Sequence, residues 1–416
     1  MEQSSTERAS TERASKVRAS SAQPAPGARG GADHAPAFTV LQLVPALNEG
    51  GVERGAVEIS AAITAAGGRA LLASAGGRLE PALRRAGGEL IRRPGFDAKN
   101  PFKLPDFIRA IREIILAEKV DIVHARSRAP AWAGWFAARA EHRPFVTTYH
   151  GSYSEGFPGK RLYNSVMAKG RPVIAVSEFI AARVMEKHGL AREDIVVIPR
   201  GADLSVFDER LVTPERTAAI AQDWELTEDP RPIVLLPGRL TRWKGQGLLV
   251  EAAALMAQDG PLPFRIVLAG GDPYGAFGRE IEERARAAGL SGDVSLVGSV
   301  TDMPAALALS AVVVCPSLEP EAFGRAVVEA QAMSRPVIAA DHGGARETVA
   351  PGVSGWLVRP GDAGALAQAL REALALGPDA RAAMGAAGLA RVRAQYSIAA
   401  MQAATLDVYA KLLARR

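Results

Sequence analysis

The sequence predicts an α/β protein with two doubly wound parallel sheets. Three observations lead there. Apolar runs of strand length alternate with helical patterns from residue 38 onward. The alternation occurs twice, on either side of a proline-bearing, charged segment at 201–232. The 416 residues also exceed what one domain of about 100–200 residues holds. Short apolar strands separated by helices indicate parallel sheets covered on both faces.

In chain order, "FTVLQLVPA" (38–46) reads as a buried strand. The glycine turn "LNEGGVERG" leads into "AVEISAAITAAGG", a helix closed by glycine. "RALLASAGG" is the next strand, "LPDFIRAIREIILAEK" an amphipathic helix and "VDIVHAR" the strand after it. "PAWAGWFAARA" reads as helix and "PFVTTYHG" as strand; "RPVIAVS" and "DIVVIPRG" are two more strands around the helix "EFIAARVMEKHG". In the second half the strands are "RPIVLLPGR", "PFRIVLAGG", "DVSLVGS", "AVVVCPS", "RPVIAAD" and "GWLV", with helices expected at 245–258, 277–289 and 324–334.

Residues 1–36 are rich in Ser, Ala, Arg, Gly and Pro and hold a short repeat, "STERAS" then "TERAS". They are expected to form a disordered tail without a catalytic role. No apolar core marks a secretory signal, and no run reaches the ~18 apolar residues of a membrane span. The single cysteine, Cys315, ends the run "AVVVC" and is expected to be buried. It leaves no intramolecular disulfide, which suits a reducing, cytoplasmic site. Net charge is +5, but between Arg126 and Arg171 eight Lys and Arg stand against two glutamates. That stretch is either a solvated face or a surface for anionic lipid or an anionic acceptor. Nucleic acid is not expected, because no recognised binding motif accompanies the charge.

In open α/β sheets ligands bind beyond the carboxyl ends of the strands. Gly50-Gly51 follow the first strand, and His150 follows "PFVTTY". Arg239 and Lys244 follow "PIVLLPG"; Glu321, Phe323, Gly324 and then Glu329 follow "AVVVCPS"; Gly343-Gly344 follow "RPVIAAD". Two loop cations suit two phosphates, and glycine turns with helix N-termini let backbone approach them. Glu321 and Glu329 are eight apart, too far for one helical neighbour pair. The spacing suits the two ends of an elongated ligand, a sugar at Glu321 and a ribose at Glu329, with a diphosphate between. His124 and His142 are not at metal-ligand spacing, and no Asp-x-Asp stands at a strand end, so no metal is expected. For His124 a structural role and a place lining an acceptor cleft both stay open.

The segment 316–362, "GRLTRWKGQGLLVEA" (238–252), "LNEGGVERGAVEIS" (47–60) and "TYHG" (148–151) together resemble glycosyltransferase family 4, also called group 1. One departure is Ser334, where that family often has glycine. The resemblance implies the GT-B fold, two Rossmann-like domains facing across a cleft. It implies an acceptor-binding domain at 37–205, a linker at 206–230 and a nucleotide-sugar-binding domain at 231–392. The helix at 393–416 would return to the first domain. The implied reaction transfers a hexose from a nucleotide diphosphate sugar with retained configuration and without a metal or other cofactor. Arg239 and Lys244 would stabilise the leaving diphosphate, and Glu321 would hold sugar hydroxyls beside the backbone of Phe323 and Gly324. Glu329 would bind the ribose, Gly50 and Gly51 would approach the diphosphate or acceptor, and His150 would contact the sugar near the reacting carbon. "DIVHARSRAPAWAGWFAAR" and "TYHGSYSEGFPGKRLYNSVMAKG" further resemble bacterial enzymes of lipopolysaccharide core and glycolipid synthesis. A glycolipid or oligosaccharide acceptor and a peripheral position at the cytoplasmic face of the inner membrane are then expected. The alternatives are a sugar-nucleotide epimerase, a sugar phosphorylase, or an inactive carbohydrate-binding protein. An NAD-dependent oxidoreductase is disfavoured, because no G-x-G-x-x-G follows the first strand.

Overall fold

Most strands are short runs buried on both faces, so helices must cover the sheets on two sides. The computed structural model describes residues 37–48, 50–96, 101–151, 153, 156, 158–272 and 275–415, and the expected tail at 1–36 lies outside them. The first sheet contains β1 (Thr39–Leu43), β2 (Arg69–Ser74), β3 (Glu89–Arg92), β4 (Ile122–Ala125), β5 (Phe145–Tyr149), β6 (Val173–Ala175) and β7 (Ile195–Val197). The second contains β8 (Ile233–Pro237), β9 (Arg265–Ala269), β10 (Val294–Gly298), β11 (Ser310–Cys315), β12 (Val337–Ala340) and β13 (Gly355–Val358). Every pairing in both is parallel.

The strand orders are β3-β2-β1-β4-β5-β6-β7 and β10-β9-β8-β11-β12-β13. Each order reverses at the first strand of its sheet. The crevices therefore open between β1 and β4 in one half and between β8 and β11 in the other. This is the two-domain α/β architecture that the alternation predicts.

The helices are α1 (Gly51–Ala65), α2 (Glu80–Arg85), α3 (Leu104–Ala117), α4 (Arg128–Ala140), α5 (Pro158–Ser165), α6 (Glu178–His188), α7 (Pro214–Asp223), α8 (Gln246–Ala257), α9 (Phe277–Ala287), α10 (Met303–Leu309), α11 (Arg325–Ala332), α12 (Ala345–Thr348), α13 (Ala363–Ala375), α14 (Pro378–Gln395) and α15 (Ile398–Leu413). Their limits follow local chemistry. α6 begins where the Ser177 hydroxyl accepts from the Ile180 N–H and ends at left-handed Gly189. α3 buries Ile111, Ile114 and Ile115, spaced for one helical face.

Two elements depart from the sequence reading. β3 was not expected: its four residues, ELIR, are nowhere fully buried and lack an apolar run. Residues 206–230 were expected to be a plain linker, yet they contain α7 and send Ile220, Trp224 and Leu226 into the core beneath β8 and β9.

The chain crosses between the halves twice. The outward crossing at Ala202 pairs with the return at Tyr396–Ile398, with the Ala202 N–H donating to the Tyr396 carbonyl at 2.8 Å and the Ile398 N–H to Ala202 at 3.0 Å. α15 then packs on α1 and shares a core with β1, β4 and β5 through Met401, Val408 and Tyr409. His124 closes that core: it is fully buried, with Nδ1 2.6 Å from the Tyr409 hydroxyl and Nε2 2.7 Å from Thr148 Oγ1. Of the two readings left open for His124, this geometry is the structural one.

Candidate active site

The second sheet supplies one group of the candidate residues. After β8 the chain turns through Gly238 and Arg239 to the single-turn helix Arg242–Lys244. Gly245, at φ 81°, ends that turn, and a Cβ there would lie 2.2 Å from the Pro316 carbonyl oxygen. Glycine is required at this approach. The contact brings the loop after β8 against the loop after β11, and the Leu318 N–H seals it by donating to the Trp243 carbonyl at 2.7 Å. Lys244 Nζ consequently reaches Glu321 Oε1 at 2.8 Å, where the Ser317 hydroxyl also donates at 2.5 Å. Arg239, five residues before Lys244 on the same loop, is exposed. Its carbonyl accepts from Gln246 at 3.0 Å, and among the described residues no carboxylate pairs with its guanidinium.

The backbone of Glu321 is held from behind. The Gly344 N–H donates to the Glu321 carbonyl at 2.9 Å. A Cβ on Gly344 would sit 2.5 Å from the Phe323 Cα, so glycine permits this layer too. The Phe323 side chain points away into the core of the first half, edge-on to Tyr396 at 5.7 Å between ring centroids. Its backbone, not its ring, is what this loop can offer a ligand. Gly324, left-handed at φ 89°, starts α11.

α11 leads to the other half. Glu329 pairs with Arg325 at 3.3 Å, and Arg325 reaches Glu58 on α1 at 3.6 Å. Burial pushes the Glu329 carboxyl up from its ordinary range, and Arg325 opposes the shift. Arg325 also lies beside Gly51, the first residue of α1. Gly50 caps that helix in an extended conformation, and the fifteen-residue α1 directs its N-terminus at the β1–β4 crevice. Arg200, just after β7, donates to the Gly51 carbonyl. Burial lowers the Arg200 guanidinium to about 9, with Glu58 opposing.

His150 sits at the end of β5 with both ring nitrogens buried and without a hydrogen-bond partner among the described residues. Burial first, then Arg200, Arg126 and His124, hold it well below 6.5. The ring is therefore neutral, offering one donor and one acceptor.

The residues singled out in the sequence thus form two foci. Lys244 and Glu321 touch, and Arg239 stands on the same loop as Lys244. Glu329 and Gly51 meet through Arg325, and His150 lies close to Arg200. Sequence reasoning missed Arg325, Arg200, Glu58 and Ser317. Arg200 had a usable signal, since it stands at a strand end in "VVIPRG". Arg325 lies inside the quoted motif, but nothing local marks a residue whose partner is 267 positions away on α1. Among the described residues no group of three His, Cys, Asp or Glu could hold a metal.

The halves are also joined around the cleft. The Ser177 hydroxyl donates to the Ala322 carbonyl at 2.6 Å. Glu347 accepts from the Glu178 and Phe179 N–H groups at 2.9 and 2.8 Å, so a carboxylate of one half caps α6 of the other.

Comparison with known proteins matches both halves. Residues 49–206 fit the profile described as Glycosyltransferase Family 4, and residues 231–375 that of Glycosyl transferases group 1. The D-inositol 3-phosphate glycosyltransferase of Xylanimonas cellulosilytica is 31% identical over 319 residues, spanning 71% of this chain and 73% of that protein. A crystal structure of a glycosyltransferase from Rickettsia africae is similar at a TM-score of 0.83 and 35% identity, over 90% of this chain and 98% of that one. Anabaena HepE, crystallised in complex with UDP-glucose, shares the fold at a TM-score of 0.76 and 22% identity, over 90% and 100% of the two chains. The chain is a GT-B glycosyltransferase and belongs to glycosyltransferase family 4, the group 1 glycosyl transferases.

Proposed function

We propose that the protein transfers a hexose from a nucleotide diphosphate sugar to a glycolipid or polysaccharide acceptor of the cell envelope, as in lipopolysaccharide core synthesis, with retained configuration and without a metal. The observation that carries this reading is the Lys244–Glu321 pair at the second switch point, on the loop that also holds exposed Arg239, which has no carboxylate partner among the described residues. A diphosphate oxygen competes with Glu321 for Lys244, and the carboxylate then turns to sugar hydroxyls. Lys244 and Arg239 supply positive charge where the leaving diphosphate becomes more negative, in place of a metal ion. Glu329, largely desolvated and already tied to Arg325, takes the ribose. His150, neutral and without a hydrogen-bond partner among the described residues, is suited to contact the sugar near its reacting carbon.

The first half has a surface suited to a membrane-bound acceptor. Phe136 and Leu162 are 39% and 69% exposed, and Arg139 and Lys169 lie over Trp135 on the same face. Among the described residues no helix is long and apolar enough to cross a membrane. A phosphorylated polyol is a second acceptor class, suggested by the name of the Xylanimonas relative.

The test is transfer by the purified protein from a panel of UDP-, GDP- and ADP-sugars, with and without EDTA. Release of nucleotide diphosphate is followed alongside, and the anomeric configuration of the product is read by NMR. E321Q should fold normally and lose turnover by about 100-fold or more. Wild-type turnover in E321Q, or loss of activity on chelation with rescue by magnesium or manganese, would refute the mechanism. Isomerised or phosphorolysed sugar in place of transfer would favour an epimerase or phosphorylase.

A further inference from the structure

The cleft lies at the carboxyl ends of the strands, and a second opening lies at the opposite edge. Where β11 and β12 begin, a groove of about 750 Å³ opens beside the end of α13 and one face of α14. That is the size of a small-molecule site. Its wall on α14 carries Arg381, Ala386, Leu389 and Arg393, arginines at both ends and apolar side chains between. Leu376 and Arg335 complete it. The wall is fixed, because α14 packs so closely that a Cβ on Gly385 would lie 2.2 Å from the Ser334 carbonyl oxygen.

The charges in this groove do not balance. Arg335 donates to the Met333 carbonyl at 2.8 Å and pairs with Glu209. Arg381 is near enough that, after burial, it is what lowers the Arg335 guanidinium. Arg381 Nη2 reaches the Leu376 carbonyl at 3.2 Å. Among the described residues its Nε is buried without a partner and no carboxylate pairs with it. Of these two neighbouring guanidiniums only that of Arg335 has a carboxylate partner among the described residues, Glu209, and both stand beside a strip of apolar side chains. Buried donors without acceptors are costly, and phosphate oxygens satisfy guanidinium forks well. The apolar strip adds a place for hydrocarbon next to that head.

We propose that this groove binds a phosphate-bearing amphiphile, with its head between Arg335 and Arg381 and its apolar part along Leu376, Ala386 and Leu389. The site would be separate from the Lys244–Glu321 cleft and close to the outward crossing, since Glu209 belongs to the segment that leaves the first half. An occupant competing for Arg335 would release Glu209 and with it one tie between that segment and the second half.

Calorimetric titration with hexyl phosphate and with inorganic phosphate tests this on the full chain. Hexyl phosphate should bind about tenfold tighter than inorganic phosphate through its buried methylenes. R381E and the milder R381Q should each weaken hexyl phosphate binding by about tenfold or more, while K244A leaves it unchanged. Unaltered far-UV circular dichroism and melting temperature show that each variant is folded, and R381Q serves if R381E is not. No heat from the wild type at millimolar hexyl phosphate would overturn the proposal. So would equal binding of the two phosphates, or binding lost in K244A and kept in R381Q.

Discussion

The pairing of Lys244 with Glu321 means that neither residue can be altered without stranding the other. K244A leaves the Glu321 carboxylate, 18% exposed while Lys244 is present, with Ser317 as its remaining side-chain partner among the described residues, whereas R239A removes an exposed cation with no carboxylate partner among them. Both variants should weaken nucleotide diphosphate binding, K244A more than R239A, and the double variant should lose less than the sum. Calorimetry checks this; unchanged affinity in both single variants would place the phosphates elsewhere. Glu329 makes a pH argument. Its carboxyl is raised mainly by burial, so the folded state binds a proton more readily than the unfolded chain does. That contribution is fully present below the unfolded value of about 4.3 and is lost as pH rises through the higher folded value. E329Q should therefore unfold at a higher denaturant concentration than wild type at pH 8, by less at pH 4, and bind the nucleotide less well. Ser334 is a smaller departure of the same kind. It stands at φ 55° where the family often has glycine, a conformation costly for any side chain.

Among the elements, α6 depends on a distant partner. Its first turn is capped by Ser177 from its own half and by Glu347 from the other. E347A should cost roughly 1–2 kcal/mol, read from urea denaturation. Amide exchange at residues 178–180 should accelerate, and E347Q should recover part of the loss. Unchanged exchange would mean that the cap contributes nothing. How far such elements could be read from the sequence follows from where their information lies. A buried strand such as β11 carries its own signal, the five apolar residues AVVVC in a row. β3 does not, because an edge strand needs neither face buried and ELIR has no period. Lys244 and Glu321 were legible because each follows a strand, and strand ends face the crevice. Arg325 and Glu347 were not, because their partners come from the opposite half, and only the closed chain brings them together.

For the molecule as a whole, the basic stretch at 126–171 must be redrawn. Arg126 is buried and donates to Gln42 at 2.7 Å, so it adds no surface charge. Arg171 pairs with Asp194 at 3.5 Å. Arg139 and Lys169 remain over Trp135 beside exposed Phe136, and Arg161 stands next to exposed Leu162 in sequence and donates to the Lys187 carbonyl. We expect reversible binding to vesicles containing anionic lipid, with each basic residue near the surface contributing roughly 1 kcal/mol. Binding should fall as salt shortens the Debye length. Sedimentation with neutral and anionic vesicles checks this. R139E and R161E should weaken it, and equal binding to both vesicles would remove the electrostatic part.

The return of α15 also has a consequence for how the protein is made. Tyr409 supplies the hydroxyl that His124 needs, and Met401 and Val408 fill the space under β1 and β4. The first half is translated long before these residues exist. While the ribosome works through the second sheet, the first sheet must wait with part of one face uncovered and with His124 bonded to Thr148 but not yet to Tyr409. A nascent chain stalled before residue 398 should therefore expose apolar surface to chaperones and proteases, and release from that state should coincide with synthesis of the last helix rather than with completion of the first half.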